Sequence, residues 1–521
     1  FTMNEDEPME REVAIDPEML GKVFENLLDD KDRKSKGAFY TPREIVHYMC
    51  QETLINHLVN KTGLPEIDIR DFILYGDLMR DEDTTVEVRE GQRDMLISTE
   101  IFDLNTGVNR LQELDDILAN VKVADLAVGS GAFPLGMLNE ILKARETLSE
   151  YMSIGMNSFE KLSFYAYDRN PYYLKINTIK NCIFACGIEP SAVDIAKLRL
   201  WLSIVIDDNI SEDSNNGRFE THTKPRQLPN LDCNIICGDS LIDEFKGIRL
   251  LNESELLNNV KEDSQKSMFQ KGVDSLLNEL IRLQDKLFFT KEHNEKEEIK
   301  NEIQKIYNRI ILEQIQGNPE IIEEYYETMN ESSKPFIIWQ LYFPRVFKDN
   351  GGFDIVIGNP PYGALLGDDI KEYYREKYEE VQFKIDSYVL FIIKAYELAN
   401  SDGCVSFIIP NTLLNNYFLA TLRRNMVINK KITHLINFDN SVFDAVVHSL
   451  IIQVSNSKQE TDNSVYMAWN LKERIEYLNQ NIFLENEKYS FEFGTSKNGL
   501  ISRIKKMDTQ RLEEVLDLRQ A

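Results

Sequence analysis

Short apolar runs alternate along this chain with longer stretches in which apolar residues return every three or four positions, the two periods of strand and helix. Strand candidates fall at 121–127, 181–188, 233–237, 353–357, 404–409, 432–438 and 447–454, with helical patterns between them. Residues 1 to about 120 read as mainly helical, and one helix beginning near Arg43 carries Ile45, Met49, Leu54 and Leu58 among its apolar positions. This alternation predicts an α/β fold with a sheet of seven strands. A charged insertion separates the third strand from the fourth. In it Leu276, Leu280, Leu283 and Leu287, then Ile299, Ile303, Ile306 and Ile310, step by four, three and four, so an antiparallel helical hairpin turning near Thr290 to Asn294 is expected. It could serve as a brace or only as an outward arm. The expected organisation is an N-terminal helical region over 1–120, two sheet-forming halves over 121–250 and 336–460, the helical insertion over 251–335, and a C-terminal extension over 461–521.

At 521 residues the chain can build two or three domains and a large core. No stretch has the length and freedom from charge of a transmembrane helix, and no N-terminal signal pattern is present, so a cytoplasmic protein is expected. The formal charge of −28 argues against a nucleic-acid partner, because neutralising phosphates drives non-specific affinity. Acid concentrates near the N-terminus and between about 251 and 335, however, while Lys224/Arg226, Arg423/Arg424, Lys430/Lys431 and Arg503/Lys505/Lys506 are locally basic. Such clusters are either solvated faces or phosphate contacts. Cys182/Cys186 and Cys233/Cys237 have the spacing of metal ligands but sit in strand-like runs, where four residues span roughly 13 Å. Thiolates bound to one zinc ion at about 2.3 Å each cannot be so far apart, and no metal is expected.

Candidate chemistry gathers where the run Phe353–Ile357 closes at Gly358 and continues as Asn359, Pro360, Pro361 and Tyr362. Neither proline offers an N–H, so the Asn359 side chain and the Pro360 carbonyl present two acceptors that local backbone does not easily occupy. With an aromatic surface beside them, they suit an amino group on a planar heterocycle such as adenine. Alone, the tetrapeptide could merely end a strand. Upstream, the strand ending near Asp125 runs into Gly129, Ser130 and Gly131 and then the helical pattern Phe133–Leu142, a nucleotide-type crossover without the lysine of a phosphate-binding loop. Asp125 can accept hydrogen bonds from an ammonium or hydroxyl group. Earlier still, Thr41, Pro42 and Glu44 predict an N-cap, a first-turn proline and the third position of a capping box, which would aim helix N–H groups at a ligand carboxylate.

In this order, GAFYTP (37–42), DLAVGSGAF (125–133), AVDIAKLRLWLS (192–203), LPNLDCNIICGDSL (228–241) and FDIVIGNPPYG (353–363) resemble the adenine-N6 DNA methyltransferases fused into type II, type IIG-like restriction-modification enzymes and related phage-defence systems. The resemblance runs from about Asp16 to about Leu516. It implies a Rossmann-like, mainly parallel S-adenosylmethionine-dependent methyltransferase sheet with the cofactor at the carboxyl ends of its strands. Tyr40, Thr41 and Pro42 would lie near the methionine moiety, Asp125, Gly129, Gly131 and Phe133 beside it, and Asp239 on the adenine ring of the cofactor. The partner implied is double-stranded DNA with an adenine turned out of the helix. Asn359 and Pro360 would accept its amino protons, Pro361 would shape the corner, and Tyr362 would stack on the base. Phe443, with Phe438 nearby, matches an aromatic that packs against that base, and Asp386 and Tyr388 match a segment bordering the cofactor. One contact departs from the pattern. Gly187 leaves without a side chain the place of the acidic residue that holds the cofactor ribose, unless Glu189 or Asp168 reaches in, at a cost of roughly 1.5–3 kcal/mol if none does.

The chain is also expected to be a piece of a longer protein, with a nuclease upstream of Phe1 and a target-recognition domain after Leu516, so that its own DNA binding is weak and salt-sensitive. No strand-borne acidic pair followed by Glu-X-Lys marks a nuclease within it. Two further functions remain open: a cofactor-blind scaffold, suggested by Gly187, and a protein glutamine methyltransferase, because an amide also presents a planar NH2.

Overall fold

The computed structural model of the chain describes residues 20–21, 41–76, 101, 108–208, 228–249, 268–315, 319–329, 333–363, 367–381, 386–438, 448–457, 463–471 and 473–492. Tyr40, Phe443, Lys224, Arg226 and the basic cluster at 503–506 lie outside these residues.

The strands are β1 (Val123–Asp125), β2 (Ile183–Gly187), β3 (Ile235–Cys237), β4 (Glu244–Phe245), β5 (Ile248–Arg249), β6 (Phe353–Gly358), β7 (Ala399–Pro410), β8 (Lys431–Asn437), β9 (Ser449–Ser455), β10 (Ser464–Trp469) and β11 (Glu473–Asn479). Nine form one sheet in the order β3-β2-β1-β6-β7-β9-β8-β10-β11, and β4 and β5 make a separate hairpin. Strands β3, β2, β1, β6 and β7 run parallel to one another, and β9 enters antiparallel to both β7 and β8. Each of the seven expected strands is present. The two additional ones, β10 and β11, continue the sheet into the segment read as an extension. Strand β11 escaped the pattern because it is an edge, where Glu473, Glu476 and the exposed Ile475 and Tyr477 break the alternation that burial on one face would impose; β10, paired on both sides, was missed with it.

Helices α1 (Arg43–Thr62), α2 (Glu66–Tyr75), α3 (Val108–Asn120), α4 (Ala132–Met152), α5 (Pro171–Cys182) and α6 (Pro190–Asp208) supply most of one apolar cluster, which includes Val123, Ile183 and Ile355 of the sheet. The opposing cluster contains Ala124, Phe353 and Val356 together with α7 (Met268–Phe289) and α8 (His293–Gln314). These two are the expected hairpin, turning through Thr290–Glu292. It is no outward arm. Leu280, Leu283, Leu287, Ile299, Ile303 and Ile310 are buried against the sheet, Gln284 Nε2 donates to Tyr342 O at 3.0 Å, and Lys180 on α5 pairs with Asp285 at 2.9 Å. The remaining long helices are α9 (Pro319–Thr328), α10 (Asp368–Lys377), α11 (Ser387–Leu398) and α12 (Ala420–Asn429).

The start of α1 differs from the expected capping box. Pro42, in extended conformation with ψ 141°, is the N-cap; its carbonyl accepts from the N–H groups of Ile45 and Val46, and no side chain caps the helix. Thr41 therefore falls one residue outside the helix. Its hydroxyl is free to act elsewhere. Among the described residues, no helix is long and apolar enough to cross a membrane.

Candidate active site

Parallel pairing sets Val123 against Ile355 and Ala124 against Val356, so the ends of β1 and β6 lie side by side, one strand spacing of about 4.8 Å apart. Asp125 ends β1 and Gly358 ends β6. Gly358 admits no side chain: a Cβ built there would lie 2.9 Å from Asp125 Oδ1. The Asp125 carboxylate is fully buried and accepts from Ala127 N at 3.0 Å, and burial pushes its pKa up to about 7. Beyond it the chain turns through Gly129 (φ +49°) and Gly131 (φ +86°). Gly131 is also pressed against α6, where a Cβ would come within 2.8 Å of that of Ala196, whereas the Cβ direction of Gly129 is open. The turn thus presents bare backbone at the carboxyl edge of the sheet, immediately before α4. Phe133 is placed less simply, because its ring is 3% exposed and packs in the core cluster of α1 and α4.

The corner that follows β6 is held from two directions. Asn359 Nδ2 donates to Thr41 Oγ1 at 3.2 Å, joining the residue before α1 to the residue after β6. From the other side, the first turn of α11 grips the prolines' exit: Ser387 Oγ donates to Pro361 O, and Asp386 Oδ1 accepts from Gly363 N at 2.9 Å. The Pro360 ring is buried and Pro361 is half-buried. Tyr362 is 7% exposed within the sheet's second apolar cluster, and burial raises its phenol pKa. Tyr388, one turn into α11, is buried and shares a hydrogen bond with Thr412 Oγ1 at 3.1 Å, and Phe438 lies buried just past β8.

At the ends of β2 and β3 the structure explains the departure at Gly187. A Cβ there would meet Val128 Cγ1 at 2.8 Å and Val193 Cγ2 at 3.0 Å, so close packing of the glycine turn on α6 demands the glycine. Glu189, two residues on and just before α6, is the acidic residue at this strand end, accepting from Ser191 Oγ at 3.1 Å. Asp168 is excluded from that role. It neighbours Arg169, whose guanidinium binds Asp115 at 2.7 Å and Met152 Sδ at 3.1 Å, at the far end of a 21-residue helix that spans about 31 Å from the glycine turn. Asp239 follows β3, accepts from Leu241 N at 3.0 Å, and is raised in pKa by burial. Among the predicted site residues that are described, the structure thus brings together Thr41, Pro42, Asp125, Gly129, Gly131, Asn359, Pro360, Pro361 and Tyr362 around one sheet edge, with Glu189 and Asp239 on the adjoining strand ends.

Sequence reasoning missed Arg199 and Ser387. Arg199 is 2% exposed and donates to Ser130 O at 2.8 Å, supporting the glycine turn from α6. A cation inside the otherwise apolar run Leu198–Leu202 was the available signal. Arg423, read as part of a basic surface, is instead fully buried: it donates to the carbonyls of Leu413, Asn416, Lys488 and Tyr489, and burial lowers its pKa to about 10. It staples loops and meets no phosphate. Among the described residues, no group of three or more His, Cys, Asp or Glu is arranged to hold a metal ion, and the Cys182 and Cys186 thiols donate to backbone carbonyls.

Comparison with known proteins places this geometry. The family model described as Eco57I restriction-modification methylase matches residues 181–443, half of the chain, and ends inside the segment after β8. A Methanocaldococcus jannaschii protein, whose name proposes a type II restriction enzyme and methyltransferase, is 25% identical over 515 residues, covering 89% of this chain and 40% of its own length. The type II restriction enzyme and methyltransferase RM.Eco57I of Escherichia coli is 30% identical over 94 residues, 17% of this chain and 9% of that one. The chain therefore spans less than half the length of either relative. Among solved structures, the Type IIL restriction-modification enzyme MmeI, determined in complex with DNA, aligns over 89% of this chain and 43% of its own at 13% identity and a TM-score of 0.46. With the family model covering half of its residues, this chain belongs to the Eco57I restriction-modification methylase family.

Proposed function

We propose that this chain transfers a methyl group from S-adenosylmethionine to the N6 amino group of adenine in DNA, as the modification part of a restriction-modification or phage-defence enzyme. The observation that carries the reading is the seating of the Asn359–Tyr362 corner beside Asp125 and the glycine turn, with Asn359 hydrogen-bonded to Thr41 ahead of α1. The residues present fit the cofactor. Gly129 and Gly131 let its chain approach backbone, the buried Asp125 carboxylate suits its ammonium group, and Glu189 and Asp239 suit its ribose and adenine. When bound, S-adenosylmethionine supplies an electrophilic methyl on a sulfonium.

The protein's own work is alignment and charge stabilisation. The amino lone pair of adenine is delocalised into its ring; accepting the two amino protons at Asn359 Oδ1 and Pro360 O favours a pyramidal nitrogen and stabilises the positive charge that develops there. Tyr362, 7% exposed here, would turn its ring out of the apolar cluster to stack on a base extruded from the duplex, and the unstacking cost of a few kcal/mol is offset by that stacking and these hydrogen bonds. The clamp of Asp386 and Ser387 keeps the Pro361 carbonyl and Gly363 N–H occupied, which helps hold the corner in place. Val128 and Val193 give the glycine at 187 a packing reason of its own, and Glu189 at the same strand end supports the cofactor-binding reading over the scaffold one.

Calorimetric titration with S-adenosylmethionine, followed by transfer of labelled methyl to DNA, tests the proposal. Wild-type protein should bind the cofactor and label N6 of adenine, weakening as salt rises. Asn359→Ala should retain cofactor binding and lose transfer by about 100-fold or more. Undiminished labelling in that variant removes Asn359 from the mechanism, and label on protein glutamine instead of DNA overturns the substrate.

A further inference from the structure

Thr41 and Asn359 are 318 positions apart, and their side chains meet at 3.2 Å with Nδ2 as donor and Oγ1 as acceptor. The hydroxyl is firmly mounted. Thr41 is 4% exposed, and the next residue, Pro42, accepts the first N–H groups of the twenty-residue helix α1. That helix is in turn tied to α4, because His47 Nδ1 meets Glu140 Oε1 at 2.5 Å and Gln51 Nε2 donates to Glu140 Oε2 at 3.1 Å. Helix α4 begins at the glycine turn. The position of the Thr41 hydroxyl is therefore set by the same elements that form the cofactor edge.

A carboxamide has a donor end and an acceptor end of nearly equal shape, and half a turn about its last bond exchanges them. Facing an amino group, the oxygen end accepts a proton, whereas the NH2 end opposes donor with donor. From this geometry we infer that Thr41 is a positioning residue: it anchors the Asn359 amide at the corner in the orientation observed, Nδ2 on the Thr41 hydroxyl, so that Oδ1 is the end offered to the target amino group. The inference rests on the adenine-N6 reading above and adds to it a link between the cofactor edge and the orientation of the asparagine. It also gives a physical reason for Thr41 lying outside α1. As an N-cap its hydroxyl would be committed to helix N–H groups and lost to Asn359.

The test uses full-length protein, S-adenosylmethionine, and unmethylated plasmid DNA of mixed sequence, with single-turnover labelling and cofactor titration measured separately. Thr41→Val keeps the shape and removes the hydroxyl. It is expected to slow transfer about 10- to 100-fold at saturating cofactor, with cofactor affinity changed less than about threefold. Thr41→Ser, which restores the hydroxyl, should recover most of the rate. Thr41→Ala, checked by thermal melting, carries the same expectation should the valine variant fold poorly. Transfer at the wild-type rate in Thr41→Val overturns the inference while leaving the function intact. So does a defect that saturating cofactor repairs, which would make Thr41 a cofactor contact alone. Wild-type protein that leaves adenine N6 unlabelled overturns both readings together.

Discussion

Burial pushes the Asp125 carboxyl up to about 7, so unliganded protein is expected to exchange a proton there close to neutrality. An ammonium ligand favours the ionised form. Cofactor affinity should therefore fall as pH drops below about 7, approaching one decade per pH unit, with a proton released on binding; calorimetry in buffers of different ionisation enthalpy reads both. The sign for stability is the reverse. Folded Asp125 keeps its proton where the unfolded chain, with its ordinary carboxylate, has lost it, so this group's contribution to unliganded stability declines from about pH 4 to about pH 7. A pH-independent affinity would show that the carboxylate does not meet the cation. Asp354, in the same motif as Asn359, is an instructive contrast. It accepts from Lys122 N at 2.8 Å and Asn400 Nδ2 at 3.0 Å, at the amino ends of β1 and β6. Its place in FDIVIGNPPYG is thus a matter of pinning strands, at the edge opposite the chemistry.

At the scale of elements, the Asn359–Tyr362 corner depends on the first turn of α11. Ser387→Ala would remove the bond to Pro361 O and leave Asp386 alone on Gly363 N. The expected result is a modest loss of stability, about 1 kcal/mol, with a several-fold fall in transfer rate and unchanged cofactor affinity. Denaturant unfolding and single-turnover labelling separate the two effects. Equal rates in variant and wild type would make the clamp purely structural. A second tie joins α10 and α11 to the segment after β3. Burial alone would raise the Asp243 carboxyl, but Lys394 at 2.9 Å and Lys377 at 3.7 Å hold it well below the usual range, and Tyr373 donates to its other oxygen. The loop bearing Asp239 and the helices flanking the corner are thereby fixed to one another.

Across the whole molecule, the helical insertion shares one apolar cluster with the sheet and belongs to its folding unit. Leu280 is wholly buried, so Leu280→Ala should destabilise the protein by about 2–5 kcal/mol in urea unfolding; a change below about 1 kcal/mol would mark the hairpin as an independent arm. The formal charge of −28 sets a different whole-molecule condition, since any DNA contact must be made by local basic groups against that field. Of the basic clusters read from sequence, Arg423 is spent on backbone carbonyls, and Lys430 donates to Asn456 while lying over the Tyr396 ring at 5.0 Å.

Sequence alone determined what depends on neighbours along the chain. The apolar periods located seven strands and the hairpin, and the residue types of Gly129, Gly131, Asn359 and the two prolines announced backbone approach and acceptors that local backbone does not easily occupy. The extra strand β11 stayed hidden because a sheet edge with exposed Ile475 and Tyr477 carries almost no periodic signal. Only the tertiary structure decided which residues meet: that Thr41 serves Asn359 instead of its own helix, that Gly187 is required by two valines, and that Arg423 and Asp354 hold the frame. The physical reason is that a side chain's role depends on which partner desolvates it or completes its hydrogen bonds, and those partners lie tens to hundreds of positions away, set by strand order and helix packing.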